Sequence, residues 1–197
     1  MSGDDTHPLA AAWQRVGDAV DETAAEYRDA GYRVVSARAD HGTVRDGDPP
    51  ALVFTVGDEA AARLDRLAGD RQFSETDVQY VDVDGHRLFL STVVDATDSL
   101  AVVLAGGVSH DRLRRCRPDG DEVTDADGRA GGDAATDADG ETDGDEVTDG
   151  DRETDSERER SLGPLDTVVR RADGSHALGL RHESRAPFLS GFPPESR

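Results

Sequence analysis

Hydrophobic and polar positions alternate most clearly between Val78 and Val108, and the rest of the chain is organised around that stretch. Two runs rich in β-branched and aromatic residues, Val78–Val83 and His86–Val94, flank Asp84-Gly85. An Asp-Gly pair between such runs marks a two-residue hairpin, because both turn positions need φ > 0. That loop fixes the register. Val83 faces His86, Asp82 faces Arg87, Val81 faces Leu88, Tyr80 faces Phe89 and Gln79 faces Leu90, and the pairs fall alternately on two faces. One face, with Val81, Val83, Leu88 and Leu90, is expected to be the core. The other carries Tyr80, Phe89, Val93 and the Asp82–Arg87 pair. The next run, Leu100–Ala105, is apolar on both faces, so it belongs inside the sheet rather than at an edge.

Upstream, Leu9, Trp13, Val16, Val20, Ala24 and Tyr27 recur at spacings of three and four. They predict a helix over 8–30, with Pro8 at its first position and Gly31 as its stop. The stripe reads as core rather than as a cofactor box. Tyr32–Arg38 is a predicted strand, Ala39–Pro50 a polar loop and Ala51–Val56 a second strand. Asp58 suits the N-cap of a second helix ending at Ala68. Ser109 suits the N-cap of a short helix over Asp111–Cys116, whose arginines favour a helix C-terminus.

Residues 120–155 repeat a 12-residue acidic unit three times, beginning at Gly120, Gly132 and Gly144. With almost no large apolar residue, this stretch cannot offset its ordering entropy. The organisation expected is therefore a disordered N-terminus (1–7), an α+β domain (8–116), a disordered acidic insert (117–162), a C-terminal hairpin completing the domain (163–189) and a tail (190–197). Asp173-Gly174 turns that hairpin, setting Val169 opposite Leu178 and Thr167 opposite Leu180. The fold class is α+β: a mainly antiparallel sheet of about five to seven strands with two helices on one face. The element order is α-β-β-α-β-β-β-α, then the insert and the hairpin.

Charge sharpens the picture. The chain of 197 residues has a formal charge of −21, with 31 Asp, 12 Glu, 22 Arg and no Lys. Residues 117–160 hold 18 of the acids against 5 arginines. In molar salt the Debye length falls to about 3 Å, so self-repulsion that opposes folding in dilute buffer is screened. The composition reads as that of a halophile's cytoplasmic protein. The negative field argues against nucleic acid and anionic membrane, and no apolar run approaches the ~20 residues of a membrane span. The N-terminus lacks a signal-peptide pattern.

Candidate chemistry is sparse. Gly107-Val-Ser109-His110-Asp111 resembles a nucleophile elbow but lacks its last glycine, so Ser109 reads first as a helix cap. An enzyme would have to use Ser109 or a histidine–carboxylate set around His41, His110 and His182. Cys116, the single cysteine, lies among Arg114, Arg115 and Arg117. Cations lower a thiol pKa, so a reactive thiolate stands against an incidental cysteine. From Asp139 the repeats echo a calcium loop, with Glu141, Asp143 and Gly144 in place, but Gly150 stands where a bidentate Glu belongs. Loosely held hydrated cations are expected there, and no cofactor or specific metal. Without Lys there is no Schiff-base, P-loop or kinase lysine.

Several segments together resemble a small haloarchaeal family of unknown function. They are Trp13 with Glu26-Tyr-Arg-Asp-Ala-Gly-Tyr32, Leu52-Val-Phe-Thr-Val-Gly-Asp-Glu59, Thr167-Val-Val-Arg170, Arg181-His-Glu183 and Pro187-Phe188. The resemblance covers about residues 9–115 and 163–189 and implies no activity. The order of elements is also similar to that of roadblock-type scaffolds, by order alone. Function is therefore unknown on sequence. The leading expectation is a non-enzymatic interaction or dimerisation module, with an unknown protein partner or a second copy held on Tyr80, Phe89 and Val93. The chain should lose ellipticity and thermal stability when moved from molar KCl to dilute buffer; a melting temperature independent of salt would contradict the screening argument.

Overall fold

The computed structural model describes residues 7–68, 71, 73–117 and 162–191. Seven strands form one sheet among them: β1 (Arg33–Arg45), β2 (Ala51–Val56), β3 (Glu75–Val83), β4 (His86–Asp95), β5 (Leu100–Ser109), β6 (Leu165–Arg170) and β7 (His176–His182). The helices are α1 (Pro8–Asp29), α2 (Asp58–Ala68), the short α3 (His110–Leu113), which tightens into a 3-10 turn at Arg114–Cys116, and α4 (Ala186–Leu189). The expected insert lies outside the described residues except for Arg117 and Leu162. So do the calcium-loop echo and the chain beyond Gly191.

The sheet order is β3-β4-β5-β1-β2-β6-β7. β1/β5 and β2/β6 are parallel, and the other neighbours antiparallel. The α+β class and the mainly antiparallel sheet are thus as expected. The first hairpin has the register read from Asp84-Gly85, with φ of 46° and 69° at the turn. The second pairs Val169 with Leu178 and Thr167 with Leu180.

Three expectations are corrected. The polar segment from Ala39 is no loop: β1 runs on to Arg45, because its backbone pairs with β2 from Ala39↔Val56 to Arg45↔Ala51. The register skips between Ala39 and His41, leaving Asp40 as a bulge. Arg33 to Arg38 of β1 pair with β5 and Ala39 to Arg45 with β2, so one strand joins the two halves of the sheet.

The helices do not share a face. Val20 and Ala24 of α1, with Trp13, Val16 and Tyr27, pack on Leu90, Val94, Ala101, Val103 and Ala105. Ala61, Leu64 and Ala68 of α2 join the cluster of Leu100, Val102 and Leu104 on the other side. β5 is apolar on both faces, so both need cover.

The core is likewise two-sided. Leu88 and Leu90 are buried as expected, but Val81 is 38% exposed, while Phe89 and Val93 of the opposite face are 1% and 2% exposed. The sheet curls around that face. Phe188 of α4 packs on Phe89 (centroids 5.9 Å apart) and on His182 (4.7 Å).

The bend of β1 brings Gly42 against Gly107, and a Cβ at Gly42 would collide with the Gly107 carbonyl oxygen. Backbone cannot step aside as a side chain can. Gly42→Ala should therefore cost about 3 kcal/mol in denaturant unfolding. Gly57→Ala, with nothing near its Cβ, should cost under about 1 kcal/mol as the change of a glycine helix cap. Equal, small losses in both variants would contradict the close approach.

Candidate functional site

α1 covers its face of the sheet only as far as its first turn. Beyond that turn lies a cleft of about 910 Å³. Its helix wall is His7, Leu9, Ala10 and Trp13, one side of an i, i+4 stripe. Its floor is the end of the sheet: Arg38 to Gly42 of β1, His86 and Leu88 of β4, and Gly107 and Ser109 of β5. Arg112 closes it from α3. The pairings Leu88↔Gly107 and His86↔Ser109 explain why these four side by side face one way. A Cβ on Gly107 would strike Leu88, while the Trp13 ring lies 3.8 Å from that position, in ordinary contact with the floor.

Of the two arginines, Arg112 is held by a neutral hydroxyl, whereas Arg38 is held by a carbonyl and a carboxylate of α1. Arg112 Nη1 donates to Thr43 Oγ1 at 2.7 Å. Arg38 Nη2 donates to the Gly17 carbonyl at 2.7 Å and to Asp21 at 2.6 Å, fastening α1 to β1. His7 Nδ1 accepts from the Leu9 amide at 3.4 Å and lies 3.6 Å from Asp84. His86 Nδ1 lies 2.9 Å from the Asp84 carbonyl. Asp40, at the bulge, is the one carboxylate among the lining residues. Two arginines and three histidines therefore surround one aspartate, in a chain whose acids outnumber its arginines 43 to 22.

The expected enzyme set is not assembled. His41 lines the cleft, but His110 and His182 are not among the lining residues. His110 Nε2 lies 2.9 Å from Asp82 Oδ1. His182 is buried between Thr167 Oγ1 at 3.0 Å and Thr76 Oγ1 at 3.4 Å. Ser109 lines the cleft and, as expected, is the N-cap residue of α3, in extended backbone, although its side chain makes no cap hydrogen bond. Among the described residues no group of three or more His, Cys, Asp or Glu is placed to hold a metal ion.

Cys116 is fully buried, and burial pushes its thiol up to about 11 against the pull of Arg185 and Arg115. The reactive-thiolate reading is corrected: desolvation outweighs the cations.

The Tyr80–Phe89–Val93 face is closed from within the chain. Arg87, with no exposed surface, is its fastening. Nε and Nη2 donate to the two Asp82 oxygens at 2.8 and 2.6 Å, and Nη1 donates to the Phe188 and Ser190 carbonyls at 3.1 and 2.8 Å. The Arg87 guanidinium also stacks 3.8 Å from the Tyr80 ring centre. Its hydrogen bonds hold the Asp82 carboxyl below the usual range. Of the three face residues only Tyr80, 39% exposed, reaches solvent.

The cleft residues that the sequence did not flag are Arg38, Asp40 and Arg112. Their signal was weak, because each sits in a polar or mixed stretch and only the bend of β1 collects them. No helix among the described residues is long and apolar enough to cross a membrane. Residues 3–118 match a family of unknown function (DUF7529), more than half of the 197 residues, and the chain belongs to that family. The expected likeness to a family of unknown function is met there. No curated protein and no solved structure matches the chain.

His182 sets a pH dependence. Burial pushes its imidazole down to about 4 from 6.5. Above 6.5 both folded and unfolded chains leave it neutral. As pH falls from there towards 4 the unfolded chain takes up the proton and the folded one does not, so stability drops, by up to roughly 3 kcal/mol. His182→Gln should flatten unfolding free energy across that window; an unchanged slope would contradict the assignment.

Proposed function

We propose that this chain is a non-enzymatic binding domain whose ligand site is the cleft beyond the first turn of α1. One observation carries the reading: the cleft is large, half apolar in character around Trp13, Leu9 and Leu88, and rimmed by convergent polar groups. That is the usual form of a small-molecule site. Against an enzyme stands the separation of His41, His110 and His182 and the absence of a cap or base partner on Ser109. We also read the lysine-free composition and charge of −21 as those of a haloarchaeal cytoplasmic protein, with hydrated cations loosely gathered on the acidic insert.

A protein partner is the second reading, and the exposed Tyr80 and Val81 on edge strand β3 favour it. Edge strands with exposed apolar side chains are ready surfaces for another chain. On this reading Val81→Asp abolishes association seen by sedimentation while the protein stays folded.

The test of the cleft is thermal shift in molar KCl against a panel of neutral, cationic and anionic metabolites, with Ala10→Trp as a variant that fills the space. At least one compound should raise the melting temperature of the native chain, leave the variant unmoved and be recovered chemically unchanged. Failure of every compound, or equal shifts in both proteins, would sink the cleft as a ligand site.

A further inference from the structure

Resting on the cleft as a binding site, we infer that its ligand is a small organic oxyanion carrying a planar apolar group, its carboxylate or phosphate held by Arg38 and Arg112 and its ring laid against Trp13. The charge argument comes first. Acids outnumber arginines by 43 to 22 over the chain, yet the lining holds Arg38 and Arg112 with Asp40 as its one carboxylate, Arg38 being paired besides to Asp21 outside the lining. A wall this much less acidic than the rest of the surface, with Arg112 bonded only to a hydroxyl, admits negative ligands by local contact, since long-range attraction is opposed by the net charge and screened by salt.

The arginines are also free to act. Both bonds of Arg38 to α1 are made by Nη2, which leaves Nε–H and Nη1–H as donors. Arg112 spends Nη1 on the Thr43 hydroxyl and keeps Nε–H and Nη2–H. A guanidinium already oriented by a neutral partner, as Arg112 is by Thr43, loses less side-chain freedom when it grips an oxyanion.

Volume then leaves room for far more than a bare inorganic ion. About 910 Å³ lies at the upper end of the space that drug-sized ligands fill, far more than a chloride or phosphate occupies. The remaining wall is apolar and flat: the Trp13 indole over Gly107, with Leu9 and Leu88 beside it. Such a wall suits a ring or a conjugated plane. Phosphate and carboxylate are two sources of one chemistry, and the probes separate them.

Trp13 is the one tryptophan in the chain, so its fluorescence reports the cleft directly. The full chain in molar KCl is titrated with phenylacetate and AMP, and with their uncharged counterparts phenylacetamide and adenosine. The expected result is a saturable change of Trp13 emission with at least one anion, none with its neutral counterpart, and about a tenfold loss of affinity in Arg112→Gln. Arg112 is exposed and bonds one hydroxyl, so this variant keeps the fold. A response to AMP alone assigns a phosphate ligand, and to phenylacetate alone a carboxylate. Neutral compounds binding as tightly as the anions, or an unchanged affinity in Arg112→Gln, overturns the oxyanion while leaving the cleft a binding site. Silence of both anions, when the wider panel yields a neutral or cationic ligand, overturns it too. Silence of every compound in both experiments removes the site itself.

Discussion

The structure depends on one strand that is apolar on both faces. Leu100, Val102 and Leu104 point one way and Ala101, Val103 and Ala105 the other, all nearly without solvent contact. Each face left open would cost roughly 25 cal/mol for every Å² of apolar surface. α1 covers one face and α2 the other, and small residues lie under α1 so that the helix approaches closely. Neighbouring strands inherit the same demand. Phe89 and Val93, on the α2 side, lie beyond that short helix, and the curl of the sheet and α4 supply their cover.

That second cover is fastened by polar groups. Arg87 satisfies a carboxylate and two carbonyls of the C-terminal segment at once. A buried ion pair adds little net stability against an apolar replacement, but removing one partner leaves the other uncompensated. The arrangement therefore fixes where α4 sits more than it strengthens the fold. Arg185 does the same for the flanks of the acidic segment: its Nη1 donates to the Cys116 carbonyl at 2.6 Å and its backbone amide to the Gly163 carbonyl at 2.8 Å. Residues distant in sequence are thus brought to one arginine.

Local signals were legible in the sequence. Asp84-Gly85 fixed its register because turn geometry is set by adjacent residues; at Asp173-Gly174 the pairs Val169–Leu178 and Thr167–Leu180 hold, but the register shifts between Val169 and Arg170, so that Arg170 faces His176. The stripe from Leu9 to Tyr27 specified α1 through its period. What failed was non-local. The continuation of β1 past Ala39 is decided by pairing with β2, which polar Asp40, His41 and Thr43 do not advertise. The opposite placement of the helices was implied by Leu100–Ala105, whose two apolar faces require two covers, but periodicity alone does not say which helix covers which. The cleft was least legible. Its residues come from α1, β1, β4, β5 and α3, and they meet only because Gly42 and Gly107 let the bend of β1 close on β5. The Tyr80–Phe89–Val93 face misled because the sequence does not show that Arg87 turns inward to hold the segment that covers it.

The account gives an acidic chain a partly apolar recess edged by Arg112 and Arg38, placed where α1 runs out. Trp13 sits in its wall, so collisional quenching of that single emitter by ions of opposite sign tests the claim without any ligand. Iodide should quench Trp13 more efficiently than caesium at equal ionic strength, with Arg112→Gln reducing the difference. Caesium quenching as well as or better than iodide, as the net charge of −21 alone would dictate, would contradict the account.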